Sequence, residues 1–113
     1  METINLPYKD ILLLPTGKGT QIIQIDTIIR IKAISNYCKL FFTNGSTLVV
    51  AKVLKWFDEA LTEKGFIRIH RSHLINTSCI TGFKNSRAGK IILKNDEEID
   101  MSRRRKTYFL KNF

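Results

Sequence analysis

Apolar and polar positions alternate with a period of two over most of this chain, and the pattern changes once, in the middle. Residues 10–15 and 20–25 read as two short strands separated by the turn Thr16-Gly17-Lys18-Gly19. Asp26-Thr27 makes a break in which either side chain can cap a single turn. Residues 28–34 alternate again, with Ile29, Ile31 and Ala33 expected on one face and Arg30 and Lys32 on the other. Ser35-Asn36-Tyr37 is a loop, and 38–43 is a strand carrying the apolar run Leu40-Phe41-Phe42. Asn44-Gly45 is the strongest hairpin signal in the chain, because both residue types accept the positive φ a tight turn needs, and 46–51 is the return strand.

Residues 52–64 switch to helical spacing, with Val53, Leu54, Phe57, Ala60 and Leu61 as the buried stripe and Trp56 at its edge. Gly65 suits the position just past the helix end. Alternation resumes at 66–70, where Ile67 and Ile69 face one way and Arg68 and His70 the other. A polar, basic corner at Arg71-Ser72-His73 leads back to Leu74-Ile75. Strands follow at 80–84 and 90–93, with a turn at 85–89 between them. Asn95-Asp96 turns the chain into 98–101, with Ile99 and Met101 pointing inward. Ser102 can cap a final short helix or turn anchored by Tyr108, Phe109 and Leu110. Short strands joined by polar turns, with one central α-helix, make the fold mainly β.

At 113 residues the chain is expected to be a single domain, 1–113, with 1–9 as an N-terminal arm or linker remnant. Its apolar content of 43% is that of an ordinary globular protein. The net charge of +9 is large for this size and favours phosphate-rich partners. The charge is also segregated. Residues 27–57 and 64–95 carry lysines and arginines without a single Asp or Glu, and a basic run closes at Arg103-Arg104-Arg105-Lys106. The carboxylates Asp96, Glu97, Glu98 and Asp100 read as an exposed, solubilising edge.

Little in the sequence points to catalysis. The glycines around Lys18 lack phosphate-loop spacing. His70 and His73 have no neighbouring cysteine or carboxylate to complete a metal site, and no serine sits in a nucleophile turn. The expectation is no enzyme, no metal and no cofactor. The apolar run at 11–14 is too short for a membrane span or a signal core, so a cytoplasmic location is expected. Cys38 and Cys79 read as small buried groups in a reduced setting.

Nucleic-acid binding has more support. Three polar or basic loops, Ser35-Asn36-Tyr37, Arg71-Ser72-His73 and Ser102-Arg103-Arg104-Arg105, each follow an apolar strand, so each can be a rigidly mounted finger. The strong helix carries acids in its second half, which excludes a helix lying in a DNA groove. Two other classes fit the same composition: a small RNA-binding module stacking unpaired bases on Tyr37, Phe41 or Phe42, and a protein-interaction domain.

The segment Phe66-Ile67-Arg68-Ile69-His70-Arg71-Ser72, followed by Ile75-Asn76 and Ile80, is distinctive. Together with Asp26-Thr27-Ile28 leading to Ala33 and Ser35-Asn36-Tyr37, the helix at 53–61, and Ile99 through Met101-Ser102-Arg103, it resembles the LytTR DNA-binding domain of bacterial transcription regulators. The resemblance extends from about residue 20 to 109. It implies an elongated arrangement of short antiparallel sheets and sequence-specific binding to promoter DNA by loops that enter successive major grooves of a tandem-repeat site, with two copies bound. By position it implies Asn36 and Tyr37 as the first reading loop, Arg71 with Ser72 as the middle contact, and Arg104 with Ser102 and Arg103 as the last. Lys84 and Arg87 fall near phosphates. Two departures are visible: Lys32 stands where the family often has an acid, and the receiver domain that usually precedes this one, linking it to a sensor kinase pathway, is not in the sequence.

Overall fold

The computed structural model describes residues 10–85 and 87–112. Strands β1 (Ile11–Thr16) and β2 (Gly19–Gln24) form an antiparallel hairpin. The main sheet contains β3 (Ile28–Ile34), β4 (Tyr37–Phe42), β5 (Thr47–Val50), β6 (Phe66–His70) and β7 (His73–Asn76), in the order β5-β4-β3-β7-β6. A third sheet pairs β8 (Ile80–Lys84), β9 (Lys90–Leu93) and β10 (Glu98–Asp100) in the order β10-β9-β8. Helix α1 (Leu54–Leu61) leaves the main sheet after β5, and α2 (Arg103–Asn112) closes the described chain. The molecule measures 55 × 33 × 24 Å, so the mainly β, elongated expectation holds.

Two hydrophobic cores lie on opposite faces of the main sheet. Neighbouring strand residues point opposite ways, and Leu74 and Ile75 accordingly enter different cores. One core packs Leu12, Leu14 and Ile23 of the hairpin and Leu54, Phe57 and Leu61 of α1 against Ile31, Leu40 and Leu74. The other packs Ile91, Leu93, Ile99, Met101 and Phe109 against Ile67, Ile69 and Ile75. Cys38 and Cys79 are free, buried and assigned to different cores, which separates them by the thickness of the sheet.

The local signals that set these elements are the expected ones at two turns. Gly45 has φ 88°, and the Asn44 side chain accepts from the Ser46 N–H at 2.9 Å. Gly65 ends the helical segment at φ 88°, a conformation open to glycine at little cost.

Four expectations need correction. Ile29 and Ile31 do not share a face: a β-bulge between Ile28 and Arg30 inserts one residue, so Ile29 joins the second core while Ile31 joins the first. The central helix is shorter than 52–64, with a 3-10 turn at Thr62–Lys64; Val53 and Ala60 fall outside its buried stripe, which is Leu54, Phe57 and Leu61. The C-terminal helix is anchored by Phe109 stacked on Phe83 at 5.8 Å, while Tyr108 and Leu110 are exposed.

The fourth correction concerns charge. Arg30 is 6% exposed, not solvated. Its guanidinium lies 3.7 Å from the centre of the Phe41 ring, and its Nη2 donates to Glu97 Oε2 at 2.7 Å. Glu97 therefore ties the β9–β10 turn to the main sheet and does not serve as a solubilising edge. The Arg30 hydrogen bonds hold its carboxyl below the ordinary 4.5.

Candidate nucleic-acid interface

The Ser35-Asn36 turn closes β3 onto β4, with Ile34 opposite Tyr37 and Ser35 at φ 55°. The Arg71-Ser72 turn closes β6 onto β7, with His70 opposite His73. Strands β3 and β7 are antiparallel neighbours with Lys32 opposite His73, so both turns emerge at the same end of the main sheet. The Ala33 N–H donates to the Ser72 carbonyl at 2.9 Å and ties them together. The start of α2 reaches the same end, because the Ser102 N–H donates to the Ile69 carbonyl at 2.9 Å. The three fingers are thus braced to one another through main-chain bonds.

Each finger presents its residues differently. Asn36, Tyr37, Arg71, Arg103 and Arg104 are exposed. Ser72 is half-buried, and its N–H donates to His70 Nδ1 at 3.1 Å. Ser102 caps α2 as its sequence position predicts: its Oγ accepts from the Arg105 N–H at 3.2 Å, so its hydroxyl is engaged within the chain. Arg68, His70, Arg71, Ser102, Arg104 and Arg105 line one open cleft of about 490 Å³ that has no carboxylate in its wall. Such a cleft concentrates positive potential where a phosphate or a base edge can approach.

Lys84 stands apart from this cleft. It is exposed, and its amine donates to Glu98 Oε2 at 2.7 Å, which also holds the Glu98 carboxyl below its ordinary range. Lys90 pairs with Asp100 at 3.5 Å on the same sheet. The β8–β9 turn is fixed to α2, since Lys106 Nζ donates to Asn85 Oδ1 at 3.0 Å. Arg87 is exposed on that turn. Of the three aromatics a base-stacking RNA module would use, Phe41 lies under Arg30 and Phe42 packs against the first core, leaving Tyr37 exposed.

The LytTR DNA-binding domain family matches residues 18–113. The chain belongs to the LytTR family. It is therefore a DNA-binding domain of the bacterial response-regulator type, from a family whose chemistry is not enzymatic. In fold, the LytTR domain is similar to a solved structure from Bacillus cereus, the LytTr DNA-binding domain of a protein described as a methyl-accepting/DNA response regulator. The TM-score is 0.76 at 21% identity, over 92% of this chain and 98% of that one. No functionally curated protein matches it. Among the described residues, no helix is long and apolar enough to cross a membrane.

The sequence reading of this LytTR domain missed Arg68 and His70 as cleft-lining residues, and placed Arg105 in the third finger without a separate role. Alternation placed Arg68 and His70 on a solvent face. Alternation carries no mark of the bulge between Arg68 and His70, where the β6–β7 register shifts.

The histidines carry a pH consequence. His73 sits beside His70, Arg30 and Lys32, with Asp100 the nearest opposing charge, and its Nδ1 is buried without a hydrogen-bond partner. Burial first, then those positive neighbours, push its pKa from the ordinary 6.5 to about 4. A histidine depressed in the native state gives stability that is complete above 6.5 and lost as pH falls toward about 4, because the unfolded chain takes the proton first. The denaturation midpoint should therefore fall between pH 6.5 and about 4, and His73→Phe should flatten that segment. From about 4.5 downward, Glu97 adds a second loss as its depressed carboxyl titrates. A flat midpoint across the His73 window would contradict this assignment.

Proposed function

We propose that this LytTR domain binds double-stranded promoter DNA sequence-specifically, as the output unit of a cytoplasmic bacterial transcription regulator. The observation that carries the reading is the placement of Arg71 and Arg104 in one carboxylate-free cleft, at the sheet end where the Asn36-Tyr37 turn also emerges. Arg71 and Arg104 read bases through paired hydrogen bonds, with Tyr37 and Asn36 as the first contact and Arg103 on the backbone. Ser102 acts mainly by capping α2, as its side-chain hydrogen bond indicates, and Ser72 belongs with Arg71 to the middle contact. Residues 1–113 act as one domain; the expected arm, 1–9, lies outside the described residues. Two copies occupy a tandem site, and activation reaches the domain through a receiver domain and a sensor kinase.

The test is selection of duplexes from a random pool, followed by fluorescence anisotropy across a salt series. A steep salt dependence with an enriched site of two similarly oriented half-sites about one helical turn apart supports the reading. A steep dependence without an enriched site overturns sequence-specific recognition. Lys84→Ala should weaken selected and random duplexes alike and reduce the salt slope by about one. A loss confined to the selected duplex would remove Lys84 from the phosphate contacts.

A further inference from the structure

Arg68 lies on β6, three residues before Arg71, with its side chain 21% exposed. Its Nη2 donates to the main-chain carbonyl of Arg71 at 2.7 Å. Its Nη1 lies 3.8 Å from Oδ2 of Asp58, which α1 supplies from the first-core face of the sheet. Its Nε is buried with no hydrogen-bond partner. A guanidinium held this far from water is costly to place, and two of its three nitrogens are committed to the chain itself. It is therefore poorly disposed to meet a phosphate as a free cation, although it lines the basic cleft.

What the arrangement does is fix a direction. The Arg71-Ser72 turn has two residues and no glycine, and among the described residues three hydrogen bonds restrain it beyond the strand ladder. These are Arg68 on the Arg71 carbonyl, His70 Nδ1 on the Ser72 N–H, and the Ser72 carbonyl on Ala33. The bond from Ala33 to the Ser72 carbonyl anchors the second half of the turn. The Arg71 carbonyl and the Ser72 N–H belong to one peptide group, which His70 holds at its nitrogen and Arg68 at its oxygen, so Arg68 fixes the end next to the Arg71 side chain. A planar guanidinium fixes two oxygens at a set angle, which the single ammonium of lysine cannot do. We propose that Arg68 is a positioning residue for DNA recognition: by bridging the Arg71 carbonyl to Asp58 of α1, it sets the direction in which the Arg71 side chain leaves the turn.

This inference rests on Arg71 being a base reader, and its test separates the two. Arg68→Lys keeps the charge and the aliphatic stem, so the fold is preserved. The variant is titrated with the selected duplex and with a random duplex across a salt series, and amide exchange at Ser72 is measured by NMR without DNA. The expected result is a roughly tenfold loss on the selected duplex, with random-duplex affinity and salt slope at wild-type values. Exchange at Ser72 should be faster. Asp58→Asn should move the same quantities in the same direction, by less. Wild-type affinity of Arg68→Lys for the selected duplex would overturn the proposal. So would Arg68→Gln losing affinity equally on both duplexes with a lower salt slope, since that is the mark of a phosphate contact. Should the wild-type domain retain no duplex preferentially, the functional reading fails. The exchange measurement then decides the positioning role alone, and unchanged exchange at Ser72 in Arg68→Lys overturns it.

Discussion

Replacing Arg71 and Arg104 together with alanine is expected to lower affinity for the selected duplex by roughly 2–6 kcal/mol, while random duplexes lose much less. Each arginine that reads a guanine edge contributes about 1–3 kcal/mol of discrimination, because a wrong base leaves its paired donors unsatisfied. Both side chains are exposed, so truncation should leave the thermal midpoint almost unchanged, and any loss is one of binding. The single variants should each relax preference at a different base position, which repeated selection with each variant would show. Because both residues line one cleft, the double loss need not equal the sum of the single ones. If the double variant lost selected and random duplexes equally, both arginines would be phosphate contacts and base reading would have to come from the Asn36-Tyr37 turn.

The second large effect is on stability. Glu97→Ala should destabilise the domain by roughly 2–4 kcal/mol, because it strands Arg30 as a buried charge. Arg30 is 6% exposed, and its Nη1 already lacks a partner, so the carboxylate is its main compensation besides the Phe41 ring. The Glu97 side chain is 36% exposed, which keeps the expected loss in the lower part of the range for buried pairs. Removing the charge as well, as Arg30→Met with Glu97→Gln, should recover most of that loss, since an apolar side chain of similar volume packs against Phe41 without the desolvation cost. Urea denaturation of the single and double variants measures both. A loss of only a few tenths of a kcal/mol in Glu97→Ala would place the pair among ordinary surface ion pairs.

The contrast between what the chain discloses and what it hides follows from range. Gly45 and Gly65 were legible because a positive φ is a property of one residue. Ile67, Ile69, Ile99 and Met101 were legible because period-two burial repeats over neighbours. The loops carrying Arg71 and Arg104 stood out by following apolar strands, the resemblance to the LytTR family singled out the two arginines, and the structure brings both to one cleft. The bulges in β3 and β6 were not legible, because Ile28-Ile29 and Ile69-His70 carry no compositional mark of an extra residue. Arg30 and Glu97 are 67 positions apart, and only the packing of one sheet on the other makes them partners. Arg68 was hidden for the same reason: its anchor, Asp58, belongs to another element.

The main-chain bonds from Ala33 to Ser72 and from Ser102 to Ile69 give the domain the properties of a fixed gauge. A recognition surface whose fingers hang on separate flexible loops can follow its target when the spacing changes. Here the distance between fingers is set by the sheet. Inserting one base pair between two contacted segments displaces them by about 3.4 Å and rotates them by about 35°. The main-chain bonds from Ala33 to Ser72 and from Ser102 to Ile69 leave these fingers little freedom to absorb that phase error. On the proposed reading, mutational drift in the operator should be tolerated as substitution far more readily than as insertion or deletion.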